Sequence, residues 1–64
     1  MLENDEQLNI AREQIERIQD LLLEMRRRVS SNEYQEMARG FLADLKRREA
    51  EIYEYLSRVP ELAA

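Results

Sequence analysis

Val29-Ser30-Ser31-Asn32-Glu33 is the one break in the middle of the chain, and its chemistry decides the fold. To its left stand Arg26, Arg27 and Arg28, cations placed where a helix C-terminus carries partial negative charge. To its right stand Glu33 and Glu36, acids placed where a helix N-terminus carries partial positive charge. Ser30 and Glu33 have the spacing of a capping box, and Ser31 or Asn32 would serve equally as N-cap. The stretch reads as helix, turn, helix. Working outward, Asp5 and Glu6 suit the first turn of a helix that starts near Asn4 or Asp5. Pro60 cannot continue a helix, so the second should end at about Arg58 or Val59. The expected organisation is a single αα-hairpin domain over residues 1–64. Its helix 1 covers about 5–30, its turn about 30–32 and its helix 2 about 33–58, each helix being about 38 Å long.

The apolar residues are spaced for a seam. In helix 1 they run Leu8, Ala11, Ile15, Ile18, Leu22, Met25 and Val29, alternating steps of three and four. The matching series in helix 2 is Tyr34, Ala38, Phe41, Leu45, Arg48, Ile52, Tyr55 and Val59. A stripe that repeats every ~3.5 residues is the coiled-coil pattern. Folding the chain back at Ser31 pairs Met25 with Ala38, Leu22 with Phe41, Ile18 with Leu45 and Ala11 with Ile52. Large side chains face small ones in two of the layers, as interdigitated packing requires. The fold class is therefore all-α, an antiparallel, coiled-coil-like two-helix hairpin.

Composition limits the rest. The chain has 64 residues, with one Gly, one Pro and no Cys, His or Trp. Below about 70–80 residues a single core rarely supplies more than ~3–5 kcal/mol, and disulfides, metals or partner chains make up the difference. Without cysteine or histidine there is no disulfide frame, no thiolate zinc site, and neither the commonest metal ligand nor the commonest general base. Association remains, and the sequence advertises it. Beside the seam, Leu23, Leu42, Tyr53 and Leu56 form one further apolar set; Ile10, Leu21 and Met37 form another on the opposite flank. A stripe this wide belongs to a multi-helix bundle, so a homodimer forming an antiparallel four-helix bundle is expected. Leu23, Leu42, Tyr53 and Leu56 are the expected interface, with Leu21 and Met37 as the competing flank. A heterologous protein partner laid in the same groove is the alternative.

Three features stand out from that pattern. Arg48 is the polar exception in the seam, able to lay its methylenes along Ile15 and carry its guanidinium outward to Glu49, Asp44 or a partner. It is also a candidate register device, tolerated in only one alignment. Gly40 sits inside helix 2, where glycine costs ~1 kcal/mol relative to alanine, and with Ala43 it offers a point of close approach. The basic runs Arg26-Arg27-Arg28 and Lys46-Arg47-Arg48 are the candidate nucleic-acid contacts. Local acids dilute both runs, and 10 Lys/Arg against 14 Asp/Glu gives a net charge of −4. That balance argues against a nucleic-acid binder, which normally shows a basic excess.

No catalytic constellation is visible. Ser30, Ser31 and Ser57 have no histidine to activate them, the seam holds no carboxylates for a dimetal centre, and there is no glycine-rich phosphate loop. No enzyme activity and no cofactor are expected. The longest apolar run is Leu21-Leu22-Leu23, far short of a membrane span, and the acidic N-terminus is unlike a signal peptide. A cytoplasmic protein is expected.

The length and hairpin topology resemble the Rop family of plasmid copy-number regulators, whose helical hairpins dimerise into an RNA-binding bundle. That resemblance implies RNA contact through Arg26, Arg27, Arg28, Lys46 and Arg47, although the basic stripe is weak here. Asn4-Asp5-Glu6-Gln7-Leu8, Ile10 to Ile18 and Glu49-Ala50-Glu51-Ile52-Tyr53-Glu54-Tyr55-Leu56 carry a second likeness. They are similar to a helical hairpin at the N-terminus of some bacterial Xre-type, antitoxin-like regulators. This resemblance implies a dimerisation or partner-binding module, and the family's helix-turn-helix part has no match in this sequence.

Overall fold

A computed structural model describes residues 1–60, and they form two helices packed against each other. Helix α1 is Asp5–Arg28 and helix α2 is Ser31–Ser57. Among the described residues there is no strand.

Each helix end has an identifiable cause. Asn4 is the N-cap of α1, its side chain accepting from the Gln7 N–H at 2.8 Å. Asp5 and Glu6 occupy the first turn, and Arg26, Arg27 and Arg28 the last, so both ends complement the helix dipole. At the start of α2 the choice among three caps falls on Ser30. Its hydroxyl oxygen accepts from the Glu33 N–H at 3.2 Å, while the Glu33 carboxylate accepts from the Ser30 N–H at 3.4 Å. This reciprocal box holds Ser30 in extended backbone, and Val29 before it is extended too. A β-branched residue is at ease there. The turn is therefore Val29-Ser30, earlier than the expected 30–32, and α1 stops at Arg28 instead of about residue 30. At the far end α2 closes with Arg58 as C-cap, two residues before Pro60.

The seam lies between the helices. Leu22, Met25 and Ala38 form the buried core, with Ile18, Tyr34 and Leu45 packed against it. Ala38 is fully buried, and its small side chain lets the helices come together where Met25 needs room. Leu8, Ala11, Ile15 and Val29 are also buried or half-buried, as are Arg48, Ile52 and Tyr55. Two residues of the expected seam differ. Phe41 keeps 39% exposure, since a layer with a single neighbouring helix leaves a ring part uncovered. Val59 is exposed because α2 has already ended, so the seam stops at Tyr55.

The N-terminal segment adds a contact that the periodicity does not contain. Leu2, ahead of α1, is buried to 9% exposure. Its carbonyl accepts from the Arg58 guanidinium, and the Met1 ammonium lies 3.8 Å from Glu51. The open end of the hairpin is thus tied by polar groups from both termini.

Candidate functional site

A pair of helices has two flanks, one on each side of the seam, and here they are chemically unlike. Helical spacing places Gln7, Ile10, Gln14 and Leu21 of α1 on one flank with Met37, Asp44 and Glu51 of α2. Arg48 spans it. Its Nε donates to Asp44 Oδ2 at 3.0 Å, and another guanidinium nitrogen donates to Gln14 Oε1 on the opposite helix. Of the three destinations expected for this side chain, Asp44 is used within the chain, and Gln14 is an acceptor that the sequence had not suggested. The ion pair is half-exposed, and it holds the Asp44 carboxyl below its ordinary pKa, the Arg48 hydrogen bond being the main cause. Arg47 adds a second donor to the same carboxylate.

Nearer the open end, the Tyr55 hydroxyl donates to Asp5 Oδ1 at 2.6 Å. A carboxylate that accepts this proton disfavours the phenolate, and the Tyr55 pKa is raised. The Arg58 guanidinium stacks over the Tyr55 ring at 5.2 Å while it reaches the Leu2 carbonyl. One hydrogen bond, from Arg48 to Gln14, therefore fastens this flank across the seam, while the Tyr55–Asp5 and Arg58–Leu2 bonds tie the open end of the hairpin.

The opposite flank carries Arg12, Glu16, Gln19 and Leu23 of α1 beside Leu42, Lys46, Glu49, Tyr53 and Leu56 of α2. A shallow groove runs along it, floored by Leu8, Ile15 and Ile52 and edged by Tyr53 and Leu56. Among the described residues no hydrogen bond or ion pair crosses this groove. The nearest polar link is the Arg26 guanidinium, 5.4 Å from the centre of the Tyr34 ring beside the turn. Leu23, Leu42, Tyr53 and Leu56 are 54%, 46%, 75% and 65% exposed. Tyr53 and Leu56 edge the groove, and helical spacing puts exposed Leu23 and Leu42 on the same side of the hairpin.

Leu21 and Met37, the competing pair, are also about half exposed, at 43% and 51%. Their patch is shorter. The Gln14–Arg48–Asp44 bridge separates it from Ile10, so this flank offers no continuous apolar strip.

Gly40 lies on the same flank as Met37, and a Cβ built there would meet nothing within 4 Å. Within the hairpin, Gly40 therefore marks no close approach. The basic runs are largely engaged: Arg27 and Arg28 pair with Glu24, and Arg47 and Arg48 pair with Asp44. Lys46 stands apart from them, on the groove flank. Among the described residues no group of acids is gathered to hold a metal ion, and no helix is long and apolar enough to cross a membrane.

No protein-family model matches this chain, and no curated protein or solved structure is significantly similar to it.

Proposed function

We propose that this chain is a small, non-enzymatic interaction protein whose groove flank is covered by a second copy of itself, giving a four-helix bundle. One observation carries the reading: the Arg48–Gln14 bridge fastens α1 to α2 on one flank and the other links tie the open end, while the groove flank presents exposed Leu23, Leu42, Tyr53 and Leu56. A surface of that kind on so small a protein marks an association site. Burying four such side chains at ~1.5–3 kcal/mol each contributes on the order of 10 kcal/mol before the cost of association. For a hairpin with so little fully buried side-chain volume, folding and dimerisation are then one equilibrium.

A second copy suits this surface better than a nucleic acid does. The arginines of both basic runs are paired with acids or stacked on Tyr34, leaving little free positive potential. The test is light scattering during size-exclusion chromatography, with and without duplex DNA or RNA at low salt. A stable dimer that ignores nucleic acid supports the reading. A monomer that shifts with nucleic acid, or one that orders only on adding a different protein, contradicts it.

A further inference from the structure

The groove flank of α2 reads the same in both directions. Leu42, Lys46, Glu49 and Tyr53 follow one another at steps of four, three and four residues, with an apolar residue at each end and opposite charges inside. All four are exposed, and among the described residues neither Lys46 nor Glu49 has an ion-pair partner. This contrasts with Asp44, Arg47 and Arg48 on the fastened flank, which satisfy one another.

We propose that two copies pack α2 against α2 in antiparallel fashion, about a two-fold axis that crosses the helix between Lys46 and Glu49. The inference rests on the dimer reading above and specifies its geometry. In this arrangement Leu42 meets the partner's Tyr53 and Lys46 meets the partner's Glu49. Symmetry makes each contact twice. The aliphatic stem of Arg39 falls along the partner's Leu56, with its guanidinium free to reach water. The other closed arrangement has its two-fold axis along the bundle and lays α1 over the partner's α2. It would set Glu16 opposite the partner's Lys46 and Arg12 opposite the partner's Glu49, but it also brings Arg26 near the partner's Arg39, a like-charge juxtaposition that the α2–α2 pairing avoids.

The chain has no cysteine, so single spin labels can be placed cleanly. Glu36→Cys and Ala50→Cys, both at exposed positions of α2, are labelled in separate samples, and the distance between the two copies is measured by pulsed electron paramagnetic resonance. With the axis between Lys46 and Glu49, like residues are offset along the bundle by about 35 Å at position 36 and about 8 Å at position 50. The Glu36→Cys distance should therefore exceed the Ala50→Cys distance by about 20 Å. Equal distances at the two positions would overturn the α2–α2 pairing and leave the dimer standing. Absence of intermolecular coupling, together with a scattering mass of 7.7 kDa, would overturn the dimer itself. Charge provides an independent check. Lys46→Glu should weaken dimerisation about tenfold, and Lys46→Glu combined with Glu49→Lys should restore it to within about threefold. A double variant as weak as the single one would also overturn the pairing.

Discussion

The two flanks of this hairpin come from the same helices and carry similar numbers of apolar residues, yet only one is closed within the chain. On the fastened flank Arg48 reaches across to Gln14, and at the open end Tyr55 and Arg58 reach Asp5 and the Leu2 carbonyl. On the groove flank, leucines and a tyrosine stand exposed and the charges among them are unspent. Apolar content alone does not identify an interaction surface. What distinguishes the groove flank is that the polar groups lining it make no bond across it. A hairpin of this size can settle its own alignment with one side and leave the other for association.

The largest expected effect comes from charging each flank in turn. Leu42→Glu with Leu56→Glu should weaken dimerisation by about a hundredfold or more, since each copy loses two side chains worth ~1.5–3 kcal/mol of burial. Leu21→Glu with Met37→Glu should change it by less than about threefold. Sedimentation equilibrium across a dilution series checks both, and the opposite ranking would exchange the roles of the flanks.

Removing the bridge blurs the difference between them. Arg48→Leu replaces a half-buried cation in the seam by an apolar side chain, a kind of exchange that is often stabilising by about 1–4 kcal/mol. For a domain this small, the lower end of that range is worth about 5 °C in Tm. The substitution also joins Ile10 to Leu21 and Met37 in an uninterrupted strip, so the oligomeric state should broaden. A variant that melts higher and remains one unchanged assembly would show that Arg48 sets no register.

Gly40→Ala probes the fastened flank more gently. The glycine has no positive φ to maintain and open space around its missing Cβ, so alanine should stabilise α2 by about 0.5–1 kcal/mol. A loss of stability in thermal melts would mean that another helix crosses this flank.

How far all this could be read from the sequence depends on the range of each interaction. The seam was legible because a repeat of ~3.5 residues is a property of each helix alone, and Leu22, Met25 and Ala38 lie in the core where that repeat puts them. The turn was legible in kind, since the Arg26–Arg28 run and the capping box are local signals. Its placement was not, because Ser30, Ser31 and Asn32 offer near-equivalent caps and only the closure of the hairpin selects among them. The Arg48–Gln14 and Tyr55–Asp5 contacts join residues 34 and 50 positions apart, and whether long side chains meet depends on the exact height of one helix beside the other. Leu2 was invisible for a different reason: it lies outside both helices, where no periodicity applies. The two apolar flanks were both legible, but not the difference between them, which is created by the long-range Arg48–Gln14 contact.

The smallest effect is electrostatic. A carboxylate whose folded pKa is depressed stabilises the fold fully above its unfolded pKa, about 3.9 for aspartate, and loses that contribution as pH falls through the lowered value. Asp44 is such a group, held down chiefly by Arg48. Acid titration followed by circular dichroism should therefore show a loss of stability below about pH 4 that Asp44→Asn diminishes. An unchanged acid limb in that variant would indicate that the pair contributes nothing to folding.

The central claim is that the groove flank is covered by a second copy of the chain. Light scattering coupled to size-exclusion chromatography, run over a concentration series with circular dichroism alongside, tests it most directly. A strongly helical species of twice 7.7 kDa, losing helicity as it dissociates on dilution, is the predicted result. A stably helical species of 7.7 kDa at every concentration would contradict it, because the exposed leucines would then need no cover.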